Sequence, residues 1–292
     1  MKLLKSLDLN DVVFIDIETV AGTKRLEEGT PLWDSWQYKM RHGREPLGDG
    51  DAAQMFAEQA ALYAEFGKIV CITIGKIKDD VLKLKSFADH NEAKLLKDFC
   101  STLNNIIAAN KKTVLCGHAI KGFDLPWIMR RCIVNQIELP SLIDTAHLKP
   151  WETSSIDTMD LWKGTGFNGG SLIAIAVALG LHNPKDDIEG FQTTDVYYNE
   201  AAGLERITTY CEKDVLTVAN IVRKCRYEPI VSAEFSELKE KRVGVLERIY
   251  NTETITKADE SEIVKNINSL SAEEQPIAEE LMSIVKTKKS KK

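Results

Sequence analysis

An α/β fold is what the 292-residue sequence predicts, on three observations. Val12-Val13-Phe14-Ile15 is an unbroken apolar run after the polar Asn10 and Asp11, which marks a buried strand. Residues 69–77 and 81–87 are two further strand-like runs joined by Lys78-Asp79-Asp80, the pattern of a hairpin. Residues 91–109 and 205–225 carry apolar side chains at helical spacing, so helices and strands share the chain.

Composition narrows the class. Apolar residues make up 43% of the sequence, enough for a substantial core, and the 28% of charged residues suit a soluble protein. The length accommodates one large domain with appendages or two small ones. A net charge of −6 argues against a protein that coats nucleic acid nonspecifically. It leaves room for an enzyme that grips only a strand end. Residues 286–292 hold five lysines; removing them from a total of −6 leaves −11 on the rest. This tail reads as a solubilising end. None of the six cysteines forms a Cys-x-x-Cys pair, and several sit in apolar runs as small core residues. The N-terminal stretch lacks a continuous apolar segment, and no span long enough for a bilayer is visible. A cytoplasmic, reducing setting without membrane association is therefore expected.

The elements follow in order. The first strand runs out at Asp16 and Glu18. Residues 22–67 are a long insertion, read as a cover, with a helix over 52–65. Its Trp33 and Trp36 can staple it to the core or stack on bases. After the hairpin and the 91–109 helix, Thr113–Cys116 is a short strand, and a helix starts near Asp124, a residue suited to its N-cap. His118 reads as a hydrogen-bonding loop residue. Ile143-Asp144-Thr145 recurs as Ile156-Asp157-Thr158, and the second copy is expected to begin the last strand, running into Met159 and Leu161. Ser171 caps a helix that Gly180 closes. Beyond the long 205–225 helix, residues 232–250 and 272–286 read as helical.

Three stretches carry chemistry. Asp16 and Glu18 are two apart on a strand, so their carboxylates share a face. Asp124 stands at a strand-to-helix junction, where helix capping is a sufficient reason for it. Tyr210 and Asp214 are four apart on a helix and also share a face; an exposed Asp beside Lys213 is the plainer alternative. Four carboxylates from three elements can surround a pair of hard divalent cations, Mg²⁺ or Mn²⁺, and no Cys/His set competes for zinc. Two such ions ~4 Å apart assist both the attacking and the leaving oxygen of a phosphodiester. The tyrosine, one turn from Asp214, is placed to orient the attacking water.

These residues bring a family into view. Phe14-Ile15-Asp16-Ile17-Glu18-Thr19, Gly117-His118 through Phe123-Asp124-Leu125-Pro126, and Tyr210-Cys211-Glu212-Lys213-Asp214 resemble the three motifs of the DEDD (DnaQ-like) 3′–5′ exonucleases of the tyrosine-bearing DEDDy group. The chain looks most like the exonucleases related to the proofreading domain of family B DNA polymerases. Phe66 to Cys71, Asp157 to Trp162 and Pro184 to Asp187 also resemble that subgroup. The resemblance covers roughly residues 10–225. It implies a ribonuclease H-like fold with a mixed five-stranded sheet flanked by helices, its first three strands antiparallel. It implies Asp16, Glu18, Asp124 and Asp214 as ligands of two divalent cations (Mg²⁺ or Mn²⁺), with Tyr210 as the fifth catalytic residue. The implied substrate is the 3′ end of single-stranded DNA or RNA, with DNA favoured. The domain expected is 1–230 with the insertion 22–67, followed by a helical extension, 231–292, with its Lys-rich tail. A catalytically inactive nucleic-acid-binding or partner-binding module on the same fold is the rival reading. Relatives commonly carry Asn where this chain has Ala119, so an amide near the substrate is missing.

Overall fold

Residues 2–42, 51–149, 152–181, 188, 190–233 and 235 are described by the computed structural model. A short helix, α1 (Lys2–Ser6), precedes β1 (Val12–Ala21), in which every residue but Asp16 is buried. The strand is covered on both faces, which explains its unbroken apolar run. The chain continues through α2 (Pro31–His42), α3 (Ala52–Gln59), β2 (Gly67–Lys78), β3 (Val81–Ala88) and α4 (Glu92–Ala109). Then come β4 (Val114–Gly117), α5 (Asp124–Val134), β5 (Ile156–Asp157), α6 (Thr158–Lys163), α7 (Leu172–Ala178), α8 (Thr193–Asn199), α9 (Gly203–Cys225) and β6 (Ser232–Ala233).

The sheet order is β5-β4-β1-β2-β3-β6. β1, β2 and β3 are antiparallel neighbours, whereas β4 and β5 join in parallel on the other side of β1. The hairpin turns through Asp79 and Asp80, both at positive φ (52° and 58°), the paired conformation of a two-residue type I′ turn. Six strands stand where five were expected. The sixth depends on a side chain: the buried Asn220 of α9 donates to the Val231 carbonyl at 3.1 Å and accepts from its N–H at 2.8 Å. This holds the following two residues alongside β3. A two-residue strand has no periodicity to read, so residues 232–233 were expected to be helical. The remainder of the helices expected over 232–250 and 272–286, and the Lys-rich tail, lie outside the described residues.

The two faces of β1 receive different helices. Val13, Ile15 and Ile17 pack with Leu96 and Phe99 of α4 and with Trp127 and Ile128 of α5. Val12 and Phe14 pack with Val215 and Val218 of α9 and with Ile175 of α7. Val20, farther along that second face, joins Ile207, Tyr210 and Cys211 of α9. Period-2 alternation thus leaves Asp16 and Glu18 between two apolar clusters, directly under α9.

Two further expectations are corrected. β1 does not run out after Glu18 but continues to Ala21, because its far end is roofed by hydroxyls. Thr193 donates to the Thr19 carbonyl at 2.9 Å, Thr194 accepts from Ala21 N–H at 3.1 Å, and Tyr198 donates to the Ala21 carbonyl at 2.9 Å. β5, expected to run into Met159 and Leu161, stops at Asp157, whose Oδ1 accepts the Met159 N–H at 2.9 Å and so starts a helix in place of more strand. In the insertion Trp36 is wholly buried, its Nε1 donating to the Ala52 carbonyl at 3.0 Å, with edge-on contacts to Phe56 and Phe66. It staples the insertion and offers no face to a base. The helix expected over 52–65 ends at Gln59 and tightens into a 3₁₀ turn at Ala60–Leu62. Among the described residues no helix is long and apolar enough to cross a membrane.

Candidate active site

β4 pairs with β1 only from Val12 to Phe14. Past Phe14 that flank of β1 meets the loop 118–123 and the first turn of α5. Asp124 is the first residue of α5; Phe123 holds the cap position, and the cap carries no side-chain hydrogen bond. The Asp124 carboxylate instead accepts from its own N–H and from the N–H of Ile17, between Asp16 and Glu18. The capping reason offered by the sequence is therefore replaced by a bond to the central strand. On the other flank the β1–β2 register shifts between Glu18 and Thr19: Glu18 faces Cys71 and Thr19 faces Ile69, so β2 carries one extra residue. A bulge of this kind re-aims side chains beside a site.

α9 supplies Tyr210, Cys211 and Asp214. The five expected residues lie within electrostatic reach as one group, but of the four carboxylates only Asp16 and Glu18 belong to a set whose ligand atoms are all within 4.8 Å of one another among the described residues. Asp16 feels the charges of Asp124 and Asp214, and Tyr210 those of Asp214, Glu18 and Asp16. Asp124, Asp214 and Tyr210 are 3%, 6% and 4% exposed, so the alternative of a solvated Asp beside Lys213 is discarded. Burial, then Asp124 and Asp214, push the Asp16 carboxyl well above the ordinary carboxylate range. Burial also raises Asp124, to about 7, with Asp157 and Asp214 adding to it against the two N–H bonds. Burial and the same carboxylates drive the Tyr210 hydroxyl far above its usual value, so it stays protonated. Asp16 and Asp124 lack countercharge, and an all-oxygen carboxylate set of this kind fits a hard divalent cation such as Mg²⁺ or Mn²⁺.

Two site residues escaped the sequence reading. Cys211 places its Sγ 3.4 Å from Asp16 Oδ2, and ligand atoms of Asp16, Glu18 and Cys211 all lie within 4.8 Å of one another. The signal of Cys211 was present, since positions 211 and 214 also share a helical face, but a cysteine among apolar neighbours reads as core. Asp157 is the other. It accepts the Ala119 N–H at 2.9 Å and the Lys121 N–H at 3.4 Å, tying the loop 118–121 down beside Asp124. His118 is a loop residue as expected, its Nδ1 3.0 Å from the Thr158 hydroxyl.

The family model of the RNase H superfamily matches residues 57–226, more than half of the chain. The chain belongs to the RNase H superfamily. The matched span of this RNase H superfamily protein includes Asp124, Tyr210 and Asp214, and it begins after β1. No curated protein matches the sequence. The solved family B DNA polymerase from the hyperthermophilic archaeon Pyrobaculum calidifontis superposes with a TM-score of 0.44 at 15% identity, over 82% of this chain and 25% of that one. The chain thus spans about a quarter of the polymerase.

Ala119 adopts φ 56°, the left-handed region that costs an alanine about 1–2 kcal/mol and that Asn and Gly tolerate. Ala119→Gly is expected to stabilise the protein by up to about 1 kcal/mol, the relief of strain being partly offset by unfolded-chain entropy. Ala119→Asn is expected to be at least as stable as the parent and to lower KM by restoring the amide. Denaturant melts and steady-state kinetics check both; a destabilised Ala119→Asn would refute the backbone account.

Proposed function

We propose that the chain is a metal-dependent 3′–5′ exonuclease that releases nucleoside monophosphates from single-stranded ends, DNA favoured over RNA. The observation that carries this reading is the convergence of Asp16, Glu18, Asp124, Asp214 and Tyr210 from β1, α5 and α9. Superfamily membership supports nuclease chemistry, and the three motifs support the 3′–5′ direction. The four carboxylates would hold two Mg²⁺ or Mn²⁺ ions, which supply charge neutralisation at the attacked phosphate. Asp16, the partly exposed member, faces the incoming end. The Ile17 N–H fixes the Asp124 carboxylate against the strand, so it need not reorganise when substrate arrives. The Tyr210 hydroxyl, held neutral, orients the attacking water along the scissile bond. We assign the expected 1–230, with the insertion 22–67, to the exonuclease domain and extend it to residue 235, because β6 belongs to its sheet; 236–292 are the extension.

Digestion of 5′- and 3′-labelled single-stranded DNA and RNA with Mg²⁺, Mn²⁺ or EDTA tests the proposal. The expected result is stepwise shortening from the 3′ end, early release of the 3′ label as mononucleotide, and no cleavage in EDTA. Shortening from the 5′ end, or cleavage in EDTA, would overturn it. Binding without any cleavage would mark an inactive nucleic-acid-binding module.

A further inference from the structure

Two lysines near the site are held by tyrosines and not by acids. Lys68 Nζ donates to the Tyr197 hydroxyl at 3.1 Å and lies 4.7 and 5.6 Å from the ring centres of Tyr197 and Tyr198. His90 Nδ1 meets the same hydroxyl at 2.8 Å, and Lys24 Nζ donates to the Tyr198 carbonyl at 3.0 Å. Lys24 and His90 are exposed, and Lys68 and Tyr197 are half-buried. Among the described residues neither lysine is in an ion pair, and Asp89, next to His90, is held by Lys94. An ammonium has three N–H donors, so both lysines keep donors to offer. In a chain of net charge −6, cations left without carboxylates beside an acidic site mark a place for an external anion.

Tyr197 and Tyr198 pack against the cluster that contains Val20 and Tyr210, so the patch adjoins the tyrosine side of the site. Lys68 faces Val20 in the β1–β2 register, two residues beyond Glu18. Its backbone is thus about 8 Å from that of Glu18, at ~3.3 Å per residue along a strand and ~4.8 Å across. Stapling α8 to β2 would need the Lys68–Tyr197 contact alone. It gives no reason for Lys24 and His90 to converge on the same two tyrosines. We propose that Lys24, Lys68, His90 and Tyr197 form a subsite for a phosphodiester of the single strand, a short way upstream of the 3′ end being cut. The tyrosine rings hold Lys68 in place, so its charge is positioned before the backbone arrives, and the contact reads no sequence. The assignment to a 3′-ended strand rests on the nuclease reading above.

The test is binding of a fluorescent dT oligonucleotide of about 10 nucleotides to the full chain in EDTA, where no turnover intervenes. Lys68→Gln is expected to weaken binding about three- to tenfold. The slope of log affinity against log salt should fall by about 0.7, the share of one phosphate on a single strand. Lys112→Gln, the same loss of charge at an exposed position ahead of β4, should leave both near those of the parent. Oligonucleotides with one uncharged methylphosphonate linkage, moved stepwise from the 3′ end, locate the contact. At one position the linkage should weaken the wild type about as much as Lys68→Gln does, and should cost that variant nothing further. Circular dichroism checks folding, and Lys24→Gln, at an exposed position, repeats the test if Lys68→Gln does not fold. An unchanged slope, an equal methylphosphonate penalty in wild type and variant, or an equal loss in Lys112→Gln would overturn the proposal. Loss of nucleoside monophosphate binding in Lys68→Gln with strand binding intact would also overturn it, since a free phosphate would then be the ligand. A protein that shows the position-specific contact yet never cleaves with Mg²⁺ or Mn²⁺ refutes the nuclease reading alone; one that cleaves without that contact refutes the subsite alone.

Discussion

Tyr210→Phe is expected to lower kcat by about 100-fold while leaving Mn²⁺ affinity and single-strand binding near those of the parent. The substitution keeps the ring, which packs with Val20, Ile207 and Cys211, and removes only the oxygen. That oxygen lies within electrostatic reach of Asp214, Glu18 and Asp16, and a Cβ built on Gly190 would stand 4.0 Å from it. Burial keeps it a neutral donor across the working pH range, so its contribution is one preorganised hydrogen bond. Single-turnover cleavage and manganese calorimetry separate the two roles. Wild-type turnover in Tyr210→Phe would reduce the tyrosine to packing.

Asp124→Asn is expected to abolish cleavage and, in the absence of metal, to make the protein more stable at pH 8. The Asp124 carboxyl is raised from 3.8 to about 7 in the folded chain, chiefly by burial. A raised carboxyl binds its proton more tightly when folded than when unfolded. Its stabilising contribution is therefore complete below the unfolded value and is lost as pH climbs through the folded one, between about 4 and 7. A shift of this size corresponds to a few kcal/mol, on the order of 4 at most. The variant carries no charge to bury and escapes the loss. Urea melts in EDTA at pH 5 and pH 8 should show the wild type weakening relative to Asp124→Asn as pH rises. Saturating Mn²⁺ should restore the wild type at pH 8 and do much less for the variant. A variant weaker than the wild type at pH 8 without metal would show that the carboxylate is satisfied as it stands, and the case for a cation there would fall.

The parts of the site that could be read from the sequence were those set by a repeat. Asp16 and Glu18 share a face because a strand repeats every two residues, and Tyr210 and Asp214 because a helix returns after four. Asp124 was placed at the right junction, with capping as the plain alternative, but its bond to Ile17 joins residues 107 apart in sequence and no local pattern encodes it. Asp157 was read as strand and lies in β5; what was not legible is that its side chain caps α6 and so keeps the strand from running into Met159 and Leu161. Cys211 was read as core, and it is buried, but burial beside Asp16 differs chemically from burial beside valine. The sixth strand rests on an amide of Asn220, eleven residues before the backbone it holds, a contact that hydrophobic periodicity does not report.

That sixth strand also bears on how the molecule keeps apart from its own copies. A rim strand offers its unused N–H and C=O groups to any passing extended chain, the first step towards fibrillar stacking. Among the described residues, β6 pairs with β3 opposite Val81 and Leu82 alone. Along the rest of β3 the exposed positions include Lys83 and Lys85. A second copy approaching antiparallel along that rim would bring ammonium groups against ammonium groups. Among the described residues, Lys83 and Lys85 thus put like charge along this side of the sheet beyond the reach of the covering strand.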